Sequence, residues 1–302
     1  MHETLWRDLL DWYAAHKRSL PWRTMRDPYA ILISEFMLQQ TGVERVIPKY
    51  EEFLTRLPTL SHLAHAAPAD VIRLWAGLGY NRRAVWLQQA AQQSLARWGG
   101  LPSAVADLMS LPGIGPYTAR AVACFAFDVQ VAVLDTNVRR VLARLQGEPG
   151  TPPLKDKQMQ ALADALLPPG RAYDWNQALM DLGATICNHD APCCLICPVQ
   201  SSCRAFPFTP IATTRDPASV GEPKPRWKES PFVGSRRYYR GRVVALLRGL
   251  RTGETMTLAA LGHGIKADYS EDDVAWLQAL VAELAADRLV HLGVDATVSL
   301  PR

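Results

Sequence analysis

The sequence has no long uncharged apolar run, and none of its apolar stretches approaches the roughly 18 residues of a membrane-spanning helix. Its first eight residues include an acid and no apolar stretch, which argues against a secretory signal. Hydrophobic residues make up 48% and charged residues 21% of the 302 positions, and these values exclude a disordered chain. We expect a cytoplasmic protein of about two domains, with no membrane partner.

Strand-type alternation is nearly absent from the first 200 residues, where apolar residues recur at spacings of three and four. This period predicts amphipathic helices. Two are well marked: residues 27–40 open with Asp27 and Pro28, and residues 82–98 end at Gly99. Further helices are predicted over residues 5–13, 68–75, 104–109, 117–127, 136–145, 158–167 and 173–186. The first part of the chain is therefore predicted to be all-helical.

The composition changes after Cys203. Prolines are dense over residues 206–231, and we predict a linker over 204–234. Arginines then recur over 236–251, either as a DNA-binding surface or as the solvated face of a helix. Helical patterns at 257–261 and 272–287 and a strand hairpin at 289–300 follow. Three helices closed by a hairpin predict a winged-helix-like α/β module over 235–302.

Five of the six cysteines fall within seventeen residues, and four of them have the spacing Cys187-x6-Cys194-x2-Cys197-x5-Cys203. Four thiolates in one short loop match the ligand set of a [4Fe–4S] cluster. The alternative is a structural zinc site, which usually uses two paired C-x2-C knuckles, whereas only one such pair is present. Cys193 is a fifth thiol that could shift the register.

A second motif joins two predicted helices over residues 111–119. Glycines at 113 and 115 permit a tight hairpin whose backbone N–H groups face outward, with the N-terminus of the next helix behind them. Such a turn is suited to a phosphate. The alternative is a plain helical hairpin without a ligand.

Two carboxyl groups have distinctive settings. Glu35 lies in an apolar helix beside Phe36, so burial would keep it protonated and suit it to a general acid, unless it points to solvent. Asp135 follows an apolar run and precedes a helix, which is typical of an N-cap, and the cap amides would keep it ionised. Two carboxyls whose pKa values are pushed apart can serve as an acid and an anionic stabiliser.

These features occur together with further short segments over residues 1–203. The segments are residues 20–23, 34–41, 77–80, 111–118, 135–141 and 176–184. In this order they resemble the helix-hairpin-helix DNA glycosylases, and among them the MutY-type adenine glycosylases. The resemblance implies a mainly α fold with a two-lobed helical core, in which residues 1–20 with 130–203 form a lobe that carries an iron–sulfur loop. Residues 21–129 would form the lobe with the helix-hairpin-helix.

The resemblance also implies roles for single residues. Glu35 would protonate adenine at N7, and Asp135 would stabilise or trap the sugar cation, supported by Tyr117 and Asn137. The residues implied for the adenine pocket are Trp22, Arg23, Gln39 and Gln177. Those implied to contact DNA are Gln40 and Tyr80, which enter the duplex, and Leu111, Gly113 and Gly115 of the hairpin. The cluster ligands would be Cys187, Cys194, Cys197 and Cys203.

The substrate implied is double-stranded DNA that carries adenine opposite 8-oxoguanine or guanine. A base inside a duplex cannot be reached, so the enzyme must extrude it. Lyase relatives have a lysine where Tyr117 stands, and this chain has no lysine between Lys49 and Lys155. We therefore expect a monofunctional glycosylase that acts as a monomer at the bacterial nucleoid.

The chain departs from the family pattern in several places. Thr136 replaces a glycine, Asn81 replaces a second aromatic residue, and the loop over 188–193 lacks basic residues. The roughly 70 residues after the linker are too few for the Nudix-like domain that reads 8-oxoguanine in longer relatives. Two alternatives remain: a glycosylase for thymine or uracil opposite guanine, and a non-catalytic iron–sulfur protein that binds DNA.

Overall fold

The computed structural model describes residues 2–147, 154–207, 232–293 and 295–302. The predicted linker lies mostly outside these residues. Within them no helix has the length and apolar character needed to cross a membrane. The helices before residue 208 are α1 (His2–His16), α2 (Pro28–Leu38), α3 (Val43–Arg56), α4 (Leu60–His65), α5 (Pro68–Leu74), α6 (Arg82–Trp98), α7 (Val105–Met109), α8 (Pro116–Phe127), α9 (Thr136–Gln146), α10 (Asp156–Ala165) and α11 (Ala172–Thr185).

The predicted helix boundaries agree closely with the structure where a cap residue marks them. Asp27 accepts hydrogen bonds from the backbone N–H groups of Tyr29 and Ala30 and so begins α2. Gly99 adopts a left-handed conformation with φ 70° and ends α6, a conformation that glycine adopts without strain. The mainly helical fold is confirmed.

Two helices, α3 and α4, were not predicted from the pattern. Proline normally breaks a helix interior because it lacks an N–H, and Pro48 lies inside α3. The face formed by Val46, Tyr50 and Phe53 is nevertheless buried. Burial of side chains this large contributes about 1.5–3 kcal/mol each, enough to offset the lost hydrogen bond.

The C-terminal module has the predicted helices and hairpin, plus one strand that was not predicted. Its elements are α12 (Arg236–Arg248), β1 (Met256–Thr257), α13 (Leu258–Ile265), α14 (Val274–Ala286), β2 (His291–Leu292) and β3 (Thr297–Ser299). The strands form an antiparallel sheet in the order β1-β3-β2, with Met256 opposite Val298 and Leu292 opposite the same residue. Three helices with this sheet are a winged-helix arrangement.

The described residues divide into two compact units. One is drawn from Met1–Leu32, Ser103–Met109 and Ile114–Pro223, and the other from Ile33–Pro102, Ser110–Gly113 and Lys224–Arg302. In the first unit, α1, α9 and α11 share a core that contains Leu5, Leu9, Val141, Leu145, Trp175 and Leu179. The predicted boundaries at residues 20, 129, 203 and 234 stay a prediction.

In the second unit the C-terminal module shares its core with α5 and α6. Ile72 and Val85 belong to the same buried cluster as Val244 and Leu280 of the module. The guanidinium of Arg248 strengthens this contact by donating to the carbonyl oxygen of Ile72 at 2.9 Å. The module therefore packs directly on the helices that follow α4.

Candidate functional site

Glu35 lies in the middle of α2, and only 5% of it is exposed. Its helical neighbours Ile31 and Phe36 are buried as well. The structure excludes the alternative in which Glu35 points to solvent. A buried carboxyl group in its neutral form carries a proton that it can donate.

Asp135 is the N-cap of α9, as its position before the helix predicts. Its Oδ1 accepts a 2.6 Å hydrogen bond from the backbone N–H of Val138, and its Oδ2 lies 3.4 Å from Nδ2 of Asn137. Burial raises the pKa of Asp135, and the cap hydrogen bonds and the charge of Arg140 lower it by less, so that its pKa lies above the ordinary value. The sequence argument took only the cap amides into account and therefore predicted the opposite direction.

Asn137 is oriented by contacts on both ends of its side chain. Nη2 of Arg140 donates to Oδ1 of Asn137 at 2.9 Å and to the carbonyl oxygen of Gly183 at 2.7 Å, and its Nε donates to the carbonyl oxygen of Cys187 at 2.9 Å. Helices α9 and α11 approach so closely here that a Cβ at Gly183 would lie 2.8 Å from Cβ of Asn137. Arg140 thus links the neighbourhood of Asp135 to the start of the cysteine loop.

Trp22 and Gln177 are buried in the first unit, and Arg23, next to Trp22 in the sequence, is half-buried. The Arg23 guanidinium donates two 2.8 Å hydrogen bonds to the carboxylate of Asp181, which also accepts a 2.6 Å bond from Nε of Arg18. Burial acts to raise the pKa of Asp181, but the hydrogen bonds and charges of the two arginines outweigh it and hold the pKa below its ordinary value. The pattern did not single out Asp181.

Gln40 and Tyr80 both have left-handed backbone conformations, with φ 56° and 45°. Such values are uncommon for residues other than glycine and mark backbone that its surroundings hold in place. Gln40 is exposed, and 51% of Tyr80 is exposed. Tyr80 is therefore not a core aromatic residue. Gln39, just before Gln40, is half-buried.

One buried side chain, Arg83, holds both of these turns. Its guanidinium donates to the carbonyl oxygens of Phe36 (2.7 Å) and Gln39 (2.6 Å) near the end of α2, and to those of Leu78 (3.0 Å) and Gly79 (3.2 Å) before Tyr80. Burial lowers the pKa of Arg83 to about 10, so it stays charged at neutral pH. Its partners include these backbone carbonyls and Oγ1 of Thr41 at 3.2 Å, and no sequence motif reveals such contacts.

The hairpin before α8 forms as predicted. Leu111 is buried, and Gly113 has φ 74° and so little room that a Cβ would lie 2.8 Å from Cβ of Trp86. Only glycine fits there. Gly115 is exposed and caps α8, with Tyr117 half-buried in the first turn.

The four predicted cysteine ligands are close enough to interact. Burial raises the pKa of Cys197 to about 11, and the thiols of Cys187, Cys203 and Cys194 act in the same direction. Cys193, in contrast, is exposed, and the sixth cysteine, Cys124, is buried in α8. Nη1 of Arg144 lies 3.4 Å from Sγ of Cys187.

The same four thiols can be compared with the ligand sets of a zinc site and of an iron–sulfur cluster. Across the described ranges, no three His, Cys, Asp or Glu side chains are placed to hold one metal ion. A zinc site needs its thiolates around one centre at about 2.3 Å, whereas a [4Fe–4S] cluster takes one thiolate at each iron. Four cysteine thiols supply the number of ligands that either site needs.

The arginines over 236–251 are mostly engaged within the module. Arg236 and Arg240 form ion pairs with Glu283, and Arg240 also pairs with Asp287. Arg248 donates to Oδ1 of Asn81 at 2.7 Å, which gives this departure from the family pattern a structural partner. Several arginines of the stretch are therefore held by contacts within the second unit, whereas Arg237 has no ion-pair partner among the described residues.

Comparison with known proteins places these features in a family. Residues 33–169 match the family described as HhH-GPD superfamily base excision DNA repair protein. The adenine DNA glycosylase of Mycolicibacterium smegmatis is 40% identical over 299 residues, which cover 97% of this chain and 94% of that protein. The chain belongs to the adenine DNA glycosylase family. The resemblance stated from the sequence motifs is confirmed.

Solved structures agree with this family assignment. A thermostable thymine-DNA glycosylase is 30% identical with a TM-score of 0.65, over 69% of this chain and 97% of that chain. An endonuclease III in a non-covalent DNA complex has the same fold, at 20% identity and a TM-score of 0.58 over 68% of this chain and 95% of that chain. As a member of the adenine DNA glycosylase family, the chain is a DNA glycosylase of base excision repair.

Proposed function

We propose that this enzyme hydrolyses the N-glycosidic bond of adenine mispaired with 8-oxoguanine or guanine in double-stranded DNA. The observation that carries the proposal is the buried carboxyl of Glu35 in a family whose relatives are adenine DNA glycosylases. Adenine is a poor anionic leaving group, and a proton delivered to N7 makes its departure feasible. Glu35 supplies that proton.

Asp135 acts on the sugar. As the bond between C1′ and N9 breaks, its electron pair stays with the protonated adenine and C1′ becomes cationic. The Asp135 carboxylate stabilises this cation or bonds to it, and water then adds at C1′ to leave an abasic site. Asn137 and Tyr117 support the cation and the aspartate. Because the cap holds Asp135 through a 2.6 Å bond, little reorganisation is needed during the reaction.

The DNA contacts follow from the exposed and strained positions. Gln40 and Tyr80 enter the duplex beside the extruded base, and the hairpin formed by Leu111, Gly113 and Gly115 binds a phosphate. Trp22, Gln39 and Gln177 are the residues assigned to bind the extruded adenine. Arg23 acts there through its fixed pairing with Asp181.

We assign a [4Fe–4S] cluster to Cys187, Cys194, Cys197 and Cys203. When bound, the cluster ties the loop after α11 into one rigid piece. The contact of Arg140 with the Cys187 carbonyl then connects that loop to Asn137. Tyr117 in place of the lysine of lyase relatives makes the enzyme monofunctional. We further infer that it works as a monomer at the nucleoid.

The second candidate is excision of thymine or uracil opposite guanine, which the likeness to a thymine-DNA glycosylase favours. Pyrimidine excision gives no role to a proton donor for a purine ring. Glu35 therefore favours adenine.

A substrate panel tests these candidates directly. Duplexes with A:8-oxoG, A:G, T:G, U:G and A:T pairs are incubated with the iron-loaded protein and then treated with alkali. Cleavage at adenine in the first two supports the proposal, and cleavage at the pyrimidines supports the second candidate. No cleavage in any duplex would favour a non-catalytic protein. Strand breaks before alkali would contradict the monofunctional assignment.

A further inference from the structure

A cavity of about 640 Å³ lies beside Gln40 and Tyr80 in the second unit. It is bounded on one side by these two residues and on the other by the C-terminal module, through Phe232, Arg237 and Leu284. Sites that enclose small organic ligands measure about 300–1,000 Å³. The cavity is therefore large enough for one nucleotide.

Two aromatic rings in the cavity are each covered by a guanidinium. The Arg82 guanidinium carbon lies 4.8 Å from the ring centre of Trp86, and that of Arg237 lies 5.1 Å from the ring centre of Phe232. Bases that leave a duplex stack stably on aromatic side chains and on guanidinium planes. Phe232 is 54% exposed, which leaves one of its faces accessible.

The charged residues that line the cavity indicate which kind of base it would bind. Four arginines and one aspartate, Asp287, line the cavity. Asp287 pairs with Arg82 at 3.2 Å and also with Arg240. Arg237 has no ion-pair partner among the described residues and is exposed. A guanidinium without an ion-pair partner favours a base edge with oxygen acceptors, and arginine with guanine is the commonest such pairing.

The position of the cavity suggests which strand supplies the base. Under the proposed function, Gln40 and Tyr80 enter the duplex at the point from which adenine leaves. The partner base on the opposite strand then loses its pair at the same level. An enzyme that removes adenine must spare adenine opposite thymine, so some contact must read the partner base. The cavity begins at the residues that open the duplex.

We propose that this cavity binds the base opposite the excised adenine, a guanine or its 8-oxo form, with Arg237 donating to its carbonyl oxygen and Phe232 stacking on its ring. The inference rests on the proposed function and assigns its opposite-base specificity to the cavity wall that the C-terminal module forms. Asp287, which is fixed by Arg82 and Arg240, is the carboxylate of the described lining that would accept the N7–H that 8-oxoguanine has and guanine lacks.

The test compares Arg237→Ala and Phe232→Ala with Arg236→Ala. Arg236 is the adjacent arginine on α12, but it pairs with Glu283 and does not line the cavity. Single-turnover rates are measured for A:8-oxoG, A:G and A:C duplexes. We expect the first two variants to lower the preference for 8-oxoguanine or guanine over cytosine about 10-fold or more, as loss of a specific base contact does. Arg236→Ala should keep the preference within about 2-fold, since it removes only an exposed ion pair.

A binding measurement separates failure of this inference from failure of the proposed function. Duplexes with an abasic site opposite guanine, 8-oxoguanine or cytosine are titrated at fixed salt, without any excision step. Binding that favours the guanine-type bases, and loses this preference in Arg237→Ala, supports the cavity even if adenine is not the excised base. Wild-type binding that does not distinguish the opposite bases overturns the inference, as does a preference that both cavity variants retain. Thermal unfolding of each variant confirms that it is folded.

Discussion

Arg83 donates a 2.6 Å hydrogen bond to the carbonyl oxygen of Gln39. The same guanidinium donates to the carbonyl oxygen of Gly79, so a single side chain holds the residue before Gln40 and the residue before Tyr80. Both of the following residues have left-handed backbone conformations. Arg83 is therefore a positioning residue for the two side chains proposed to enter the duplex.

Replacing Arg83 with lysine tests this positioning role. An ammonium keeps the charge but lacks the planar fork that reaches several carbonyls at once. Leaving buried carbonyls unpaired costs roughly 1–3 kcal/mol, measurable by urea unfolding. At temperatures where the variant is folded, we expect slower extrusion of 2-aminopurine placed at the adenine position, followed by its fluorescence. Arg97→Lys, further along α6, is the control. Extrusion at the wild-type rate would remove Arg83 from this role.

Glu35→Gln tests the proton donor. The amide has the same shape as the carboxyl and is neutral, so packing in α2 is preserved and the free energy of unfolding should change by less than about 1 kcal/mol. Loss of general acid catalysis should lower the single-turnover rate of adenine excision about 100-fold or more. Glu44→Gln, an exposed residue of α3, should excise normally. An unchanged rate for Glu35→Gln would refute the assignment.

Asp135→Asn separates stability from activity. Because the pKa of Asp135 is raised in the folded protein, its contribution to stability is present below the unfolded pKa of about 3.9 and is lost as the pH rises through the folded value. At neutral pH the desolvated carboxylate therefore lowers stability. Asparagine caps a helix equally well. We expect excision to be lost while the Tm at pH 7 equals or exceeds that of the wild type.

The pH dependence of the Tm tests whether the raised pKa of Asp135 causes this difference in stability. The Tm advantage of Asp135→Asn should shrink as the pH falls below about 3.9, the pKa of an unfolded aspartate, because the aspartate is then protonated in both states. Asp27→Asn, at the N-cap of α2, is the matched control and should retain excision. The Tm difference between Asp135→Asn and the wild type is compared at pH 7 and pH 4. If the variant gains less at pH 7 than at pH 4, the pKa of Asp135 is not raised in the folded protein.

Asp181→Asn tests the ion pair with Arg23. Asp181 is fully buried, so its removal leaves a buried guanidinium without a countercharge, at a cost of roughly 3–5 kcal/mol. Its pKa is lowered in the folded state, so the stability it contributes is present above about pH 3.9 and is lost as the pH falls through the folded value. Urea unfolding should show a large difference from wild type at pH 7 and a smaller one at pH 3. Asp174→Asn removes a half-exposed pair on the same helix and should cost less than about 1 kcal/mol.

The sequence predicts correctly those features that depend on residues close together along the chain. The ends of α6 follow from helical periodicity and Gly99, and the burial of Glu35 follows from its apolar neighbours. The strand Met256–Thr257 is too short to show a period, and it forms only because β3 pairs with it. Arg83 and Asp181 escaped prediction for a related reason. Their partners lie far along the chain or are backbone carbonyls, and no spacing in the sequence marks such contacts.

Cys193→Ser and Cys197→Ser test the assignment of the cluster ligands. Cys197 interacts with the other three assigned thiols, whereas Cys193 is exposed. Purified wild-type protein should contain about four irons and four sulfides per chain if four cysteines hold one cubane. Cys193→Ser should keep this content, and Cys197→Ser should lose most of it. Because Arg140 binds the Cys187 carbonyl and orients Asn137, removal of the cluster with a chelator should also slow excision. Retention of iron in Cys197→Ser with loss in Cys193→Ser would place Cys193 in the ligand set instead of Cys197.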